Sequence, residues 1–333
     1  MAQPLVSVVI PGLNEAPNLP RLHEELCRVC DPLPYRFEWV FVDDGSSDGT
    51  PDVLAQLRRG DERVRYVLLS RNFGKEAALS AGLAYADGDA VILMDSDLQH
   101  PPALIPKMLQ LWQAGHEIVN TIRLEIENIS PLKRLTSWLF YRAFNWLAAT
   151  PIPPGSNDFR LLGRAAVDVL KDLPERQLFL RGLVPWIGFS QTSVEFTAPP
   201  RHAGQTKYTF LRSIRLALDS ITSFSFYPLR RLAVFGGLVS GASLLYAAWL
   251  LVTGLVRGVP VDTGAVILAS VLFFGGCQLL TLGVVGEYVG RVLEQVKGRP
   301  TYIIRSAVGP SPRRAGEAPP DNHVAASPAE KAN

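Results

Sequence analysis

The sequence predicts an α/β domain, a mostly parallel sheet with helices on both faces, followed by a two-helix transmembrane hairpin. Three observations carry that prediction. Short β-rich runs alternate with helix-like segments through the first 125 residues, aspartate pairs close two of those runs, and two long uncharged stretches come late in the chain.

The runs LVSVVIP, FEWVFVDD, VRYVLLS, AVILMD and EIVNTIR have the near-continuous apolar character of strands buried on both faces. Helix-like segments lie between them at Asn18–Arg28, Pro51–Arg59, Lys75–Ala86 and Pro101–Ala114. Pro51 and Pro101 fall in first turns, where a missing N–H costs nothing. Alternation at this spacing predicts right-handed βαβ units, and such sheets bind ligands beyond the carboxyl ends of their strands. Asp43 with Asp44, and Asp95 with Asp97, both end strands, so four carboxylates fall on that edge.

The first strand is not followed by G-x-G-x-x-G, and the chain contains no G-x-x-x-x-G-K-[ST], which sets aside a dinucleotide fold and a P-loop. An EF-hand fails because His100 stands where the loop needs glycine. The net charge of +2 gives no global attraction to nucleic acid. Of the three cysteines, Cys27 and Cys30 sit at helical spacing with no second Cys/His pair near in sequence, and read as structural thiols in a reducing setting.

Leu232 to Val256 carries no charge over 25 residues. As a helix it would span roughly 37 Å, enough for a hydrocarbon layer of about 30 Å. Gly264 to Gly286 is a second uncharged run. Arg230 and Arg231 precede the first span and Arg291, Lys297 and Arg299 follow the second, so the positive-inside bias places both ends in the cytoplasm. The N-terminus lacks a basic n-region and enters a strand directly, so no signal peptide is expected. Before the first span, Phe210, Leu211, Ile214, Leu218 and Ile221 recur at helical spacing, as in an interfacial amphipathic helix. The expected organisation is a catalytic domain over 1–200, a loop and juxtamembrane helix over 201–231, two spans (232–256 and 264–286) within 232–290, and a C-terminal segment over 291–333. The Ala/Pro/Gly-rich tail is expected to be disordered from about Ser306.

Asp95 and Asp97 repel each other unless something neutralises them. Hard oxygen ligands from Asp97, with Asp95 and Gln99, suit Mg2+ or Mn2+, which can also bridge two phosphates. A solvated strand end is the plainer alternative. Lys75 opens a helix, where a cation opposes the dipole and so hints at an anion nearby; Lys133 and Arg134, with Ser137 one turn on, do the same in PLKRLTSW.

The motifs VVIPGLNE (8–15), VDDGSSDGT (42–50), SRNFGKEAALSAGL (70–83), MDSDLQHPP (94–102), PLKRL (131–135), NDFRLLGR (157–164) and RHAGQTKY (201–208) occur in the order of one family. The chain resembles the family 2, GT-A-fold glycosyltransferases. More narrowly it resembles the bacterial polyprenyl-phosphate glycosyltransferases related to dolichol-phosphate mannose synthase. The resemblance implies that Pro11, Glu15, Asp43 and Asp44 hold the nucleotide base and ribose, and that Arg71 and Lys75 meet the donor head and its diphosphate. It implies a metal-and-diphosphate role for Asp95, Asp97 and Gln99. Arg123, Lys133, Arg134 and Ser137 would grip the lipid phosphate, and Arg201 and Lys207 would close over the diphosphate. Asp158 resembles the residue often assigned as base; a phosphate nucleophile is already ionised near neutral pH, so a positioning role is expected instead. His100 stands where the family usually has an acidic residue. The implied reaction is inverting transfer from a nucleotide-diphosphate sugar, UDP-glucose first, to polyprenyl (undecaprenyl) phosphate at the cytoplasmic face of a bacterial inner membrane. A homo-oligomer is also implied, with a tetramer as one form. The alternatives are a polysaccharide synthase, disfavoured by a missing Q-x-x-R-W and too few spans, and an inactive nucleotide-sugar-binding subunit.

Overall fold

The computed structural model describes residues 3–124, 156–173, 180–197 and 263–309, with scattered helical positions between 234 and 252. The chain divides into two compact units: residues 1–124, 155–204 and 301–333 form one, and 125–154 with 205–300 the other.

The first unit is built on an eight-stranded sheet. Its strands are β1 (Leu5–Gly12), β2 (Arg36–Asp43), β3 (Val64–Leu69), β4 (Ala90–Leu93), β5 (Ile118–Arg123), β6 (Ser156–Gly163), β7 (Gln191–Phe196) and β8 (Ile304–Val308). They lie in the order β7-β5-β6-β4-β1-β2-β3-β8. Strands β3, β2, β1 and β4 are mutually parallel. The chain steps outward from β1 to β3 and then returns to place β4 on the other side of β1. That reversal creates a crevice beyond the carboxyl ends of β1 and β4.

The helices follow from their apolar spacing. In α1 (Leu19–Cys30), Leu19, Leu22, Leu26 and Cys30 make one buried stripe. In α2 (Thr50–Gly60), Pro51 and Asp52 in the first turn and Arg58 and Arg59 in the last suit the helix dipole. A 3₁₀ turn, Pro102–Leu104, leads into α4 (Ile105–Gln113). Helices α1, α2 and α4 cover one face, where Trp39, Phe41, Ile92, Met108 and Phe159 form the core. Helices α3 (Lys75–Tyr85) and α5 (Arg164–Asp172) pack against β1 and β4 on the other. Helix α3 comes very close to the sheet because its inner positions are small: a Cβ at Gly82 would sit 2.2 Å from Val9 Cγ1. The last helix of this unit is α6 (Leu180–Trp186).

The five expected strands and four expected helices are all present, with two corrections. The fifth run keeps the direction of the parallel series but does not pair with it; β6 lies between β4 and β5, antiparallel to both. Its charged Asp158 and Arg160, both buried, break the apolar pattern by which a buried strand is recognised. The expected disorder from Ser306 is also displaced, because Ser306 to Val308 belong to β8, which caps β3 in antiparallel register. Residues beyond 309 lie outside the described set.

In the second unit α7 (Thr263–Val296) runs for 34 residues, about 51 Å. Large apolar side chains, including Val271, Phe273, Leu279 and Leu282, are exposed along it. Ser270 and Thr281 satisfy their hydroxyls on the carbonyls of Val266 and Cys277. Among the described residues no helix is long and apolar enough to cross a membrane. The first expected span falls largely outside those residues, as does the juxtamembrane helix expected within 201–231.

Candidate active site

The loop after β1 turns on Asn14, which adopts a left-handed conformation (φ 57°). Its N–H donates to Ser46 Oγ at 2.8 Å, and its Oδ1 accepts from the Ser47 N–H at 2.9 Å, locking this loop to the one after β2. Glu15 accepts from Asn18 Nδ2 at 2.7 Å, while its own N–H donates to Thr50 Oγ1 at 3.0 Å. Asp43 and Asp44 are both buried. Asp43 accepts from the backbone and hydroxyl of Ser46. Asp44 accepts from the N–H groups of Phe73 and Gly74 at 2.7 and 2.9 Å, so it pins the Arg71–Lys75 loop. Burial pushes both carboxyls up, against those hydrogen bonds. Gly45, at φ 74°, lets this loop approach: a Cβ there would lie 2.4 Å from the Arg71 carbonyl carbon. Arg71 lies over the Phe73 ring at 4.1 Å. Pro11, near the end of β1, is buried beneath these loops.

Across the crevice, the loop after β4 also turns on a non-glycine left-handed residue, Leu98 (φ 61°). Asp97 Oδ1 accepts the Gln99 N–H at 3.1 Å. Gln99 Oε1 in turn accepts from Arg123 Nη1 at 3.3 Å, which brings Arg123, expected to meet the acceptor, beside the loop expected to hold the metal. His100 accepts the Asp95 N–H on Nδ1 at 2.8 Å. Its ring is buried and stacks on Phe159 at 5.0 Å, and burial lowers its pKa, so it is neutral with its proton on Nε2.

Lys75 joins the two sides. Its ammonium lies 2.5 Å from Asp95 Oδ1 and 2.8 Å from Asp158 Oδ2. Burial would lower its pKa, but the two carboxylates raise it, so it is a fixed cation. Asp158 accepts two further bonds from Arg181, from Nε at 2.7 Å and from Nη2 at 2.9 Å. Burial alone would raise Asp158; Lys75 and Arg181 overcome it and hold the carboxyl well below the usual range. The side chains of Lys75 and Arg181 keep 40% of their surface exposed against 7% for Asp158, so both cations remain accessible while the carboxylate between them is covered.

Three members of this cluster were not singled out from the sequence. Arg181 is 23 residues from Asp158, and no local pattern in the sequence ties the two together. Arg160, fully buried, donates to the carbonyls of Leu180 and Asn157 and so fixes the start of α6; burial pulls its pKa down to about 10. Glu76 has an Oε2 with no partner among the described residues, and burial with the charge of Asp158 pushes it up to about 7. An acid in the first turn of a helix gave no sign of such burial. Lys133, Arg134, Ser137, Arg201 and Lys207 lie outside the described residues.

Two other features do not compete for the chemistry. His23, Cys27 and Asp61 have ligand-type atoms within 4.8 Å of one another. Asp61 is already bonded by both Nε and Nη2 of Arg63 and by Trp39 Nε1. Arg63 also reaches Cys27 Sγ at 3.3 Å, so a guanidinium occupies the place a cation would need. Burial raises the Cys27 thiol and pushes that of Cys30 up to about 12, as expected for inert thiols. An open concavity of about 650 Å³ lies at the opposite edge of the sheet, lined by Leu5, Arg36, Arg63 and Arg65. Arg63 and Arg65 are already paired with carboxylates there.

A switch-point crevice edged with hard oxygens and fixed cations suits an anionic ligand. The glycosyl transferase family 2 profile matches residues 7–170, and relatives match nearly the whole chain. The chain belongs to glycosyl transferase family 2; it is a glycosyltransferase with a GT-A-like, mostly parallel α/β sheet. It is 42% identical over 304 residues to an uncharacterized glycosyltransferase of Synechocystis, covering 91% of this chain and 96% of that one. It is 41% identical over 302 residues to the SfII prophage-derived bactoprenol glucosyl transferase of Shigella flexneri, covering 91% and 98%. Among solved structures it is similar to the mannosyltransferase PcManGT from Pyrobaculum calidifontis in complex with GDP-Man and Mn2+. That likeness has a TM-score of 0.47 and 19% identity, covering 87% of this chain and 88% of that one.

Proposed function

We propose that this glycosyltransferase moves a sugar, glucose first among the candidates, from a nucleotide diphosphate to a polyprenyl phosphate at the cytoplasmic face of a bacterial inner membrane. The observation that carries the reading is the meeting of the 95–99 oxygen loop with Lys75 and Arg181 at the switch point. The likeness to bactoprenol glucosyl transferases over nearly their whole length supports the choice of lipid and sugar.

The carboxylates of Asp95 and Asp97 and the amide oxygen of Gln99 are hard donors gathered in one loop, which fits Mg2+ or Mn2+. When bound, such a cation supplies Lewis-acid neutralisation of the departing diphosphate. An oxygen of the acceptor phosphate attacks the anomeric carbon from the face opposite the leaving group. The bond from that carbon to the diphosphate oxygen breaks, the nucleoside diphosphate departs, and the anomeric carbon of the transferred sugar is inverted. The acceptor, a monoester with its second pKa near 6, is largely ionised at neutral pH. It needs no base, and Asp158, already accepting three bonds, orients Lys75 and Arg181. Arg71 and Glu15 would face the nucleotide; Arg123, with Lys133, Arg134 and Ser137, the lipid phosphate; Arg201 and Lys207 would cover the diphosphate.

The membrane part rests on sequence. Gly264–Gly286, all within α7, is uncharged and would rise roughly 34 Å. The run at 232–256 is its expected partner. Among the described residues no helix is long and apolar enough to cross a membrane; in the sequence, Ala265, Leu268, Ala269, Leu272 and Leu280 add to the apolar character of the 264–286 run. Strand β8 of the catalytic sheet follows α7 after seven residues, in agreement with a cytoplasmic C-terminal end.

The test is full-length protein in detergent, given undecaprenyl phosphate, Mg2+ or Mn2+, and a panel of UDP- and GDP-sugars. A sugar-lipid should form only with both metal and lipid. Transfer to water alone, or to a growing polysaccharide, would overturn the reading.

A further inference from the structure

We propose that Arg181 is a phosphate-gripping residue: Asp158 holds one edge of its guanidinium, and Nη1 is left to bind a phosphoryl oxygen in the cleft it shares with Lys75. This rests on the transfer reaction proposed above and names a group that it needs.

The geometry is that of a preset fork. Nε and Nη2 both bond Asp158, which fixes the guanidinium plane, while Nη1 has no partner among the described residues. The base of the side chain is equally fixed. Gly182, Leu183 and Val184, next in α6, are buried, and the carbonyl of Leu180 takes a bond from buried Arg160. An arginine so held has paid its ordering entropy before any ligand arrives, and its planar fork matches phosphate oxygens.

Charge points the same way. Asp158 carries one negative charge and is approached by Lys75, Arg160 and Arg181. Asp95 answers Lys75, yet the nearby Glu76, pushed up to about 7, adds only partial charge at neutral pH. A pair serving only the fold would be closed from water; here the carboxylate is closed off and both direct cation partners are open to the cleft. Positive charge is therefore exposed where an anion can reach it. The phosphoryl oxygen could belong to the donor diphosphate or to the acceptor phosphate, and the two sources separate kinetically.

The experiment compares full-length wild type with Arg181→Gln and Arg181→Lys. KM is measured for the nucleotide sugar at saturating lipid and for polyprenyl phosphate at saturating donor. Binding of inorganic pyrophosphate with Mn2+ is followed calorimetrically, and thermal unfolding is recorded. Arg181→Gln should raise one KM at least tenfold, with Arg181→Lys recovering only part of the loss. A higher donor KM with tenfold weaker pyrophosphate binding assigns the contact to the diphosphate; a higher lipid KM alone assigns it to the acceptor. If both KM values and pyrophosphate binding stay at wild-type levels while only kcat or the unfolding temperature falls, the proposal is overturned. Should Arg181→Gln fail to fold, Arg181→Lys is read by the same criteria, since it keeps a charge for Asp158 but loses the fork. If wild type makes no sugar-lipid yet binds pyrophosphate in an Arg181-dependent way, the transfer reading fails and this contact stands.

Discussion

Replacing Asp158 by asparagine separates orientation from base catalysis. The substitution keeps an oxygen that can accept one bond but removes the charge that holds Lys75 and Arg181. Breaking a buried ion pair costs about 3–5 kcal/mol. Both cations here are 40% exposed, and solvent screening reduces the expected loss to about 1–3 kcal/mol. For a domain of this size that is a drop in unfolding temperature of roughly 5 °C. The effect on the reaction should be larger. Lys75 would turn to Asp95 alone and Arg181 would lose its plane, a fault comparable to removing one preorganised donor, about 10²–10³ in kcat. The pH profile decides the role. A carboxyl held well below its usual range is ionised throughout the working pH and is a poor base. The acidic limb of the rate should then be that of the acceptor phosphate, near 6, in wild type and variant alike. Rates at saturating substrate from pH 5 to 9, on protein whose fold is checked by circular dichroism, measure it. An acidic limb present in wild type and abolished in Asp158→Asn would refute the positioning argument, as would an unchanged kcat.

Glu76 makes stability depend on pH in a defined window. Its carboxyl is raised from 4.5 to about 7, so between those values the folded chain holds a proton that the unfolded chain releases. Stability should therefore fall by up to about 3 kcal/mol as pH rises through 4.5 to 7 and then level off; Glu76→Gln should remove that slope, as read from denaturant midpoints at pH 5 and 8. Gly45→Ala puts a Cβ 2.4 Å from the Arg71 backbone at a φ of 74°. About 2 kcal/mol of lost stability and a raised KM for the nucleotide sugar are expected, checked by thermal unfolding and donor saturation. Asp97→Asn should raise the Mn2+ concentration giving half-maximal transfer about tenfold or more without altering the fold, as measured by metal titration of the rate.

The parts of this fold that the sequence made legible are those whose cause is local. The apolar run Val6–Ile10 and its counterparts in β2 and β4 are buried on both faces, and a sheet with helices on both sides is the structure that needs such runs. The ligand-binding edge followed from βαβ order, and the acidic strand ends marked it. What stayed hidden depended on partners distant in the chain. Strand β6 looked too charged to be buried because Asp158 finds Lys75 83 residues earlier and Arg181 23 residues later. Strand β8 lay in a tail whose composition suggested disorder, yet β3 offers its edge as a partner. Asp44 reads from the sequence only as a nucleotide ligand; that its carboxylate also holds the Arg71–Lys75 loop depends on a partner loop about 30 residues on and on the close approach at Gly45.

Strain and charge meet at one place for a single physical reason. Among the described residues only Asn14 and Leu98 adopt positive φ without being glycine, and they lie in the loops after β1 and β4, the two walls of the crevice. Asn14 tolerates this because its short side chain bonds the neighbouring loop. Leucine has no such means, so Leu98 holds its conformation because its side chain is buried in the core. Packing therefore fixes the turn that sends Asp97 back onto its own loop and leaves Asp95 facing Lys75. A glycine at 98 would relieve about 1–2 kcal/mol of backbone strain while forfeiting a buried leucine worth about 2–5 kcal/mol. Burial outweighs strain, which favours leucine and with it a rigid acidic loop rather than a floppy one. Rigidity matters because the carboxylates must stay close together despite their repulsion, and a fixed loop bears that cost in folding rather than at each binding event.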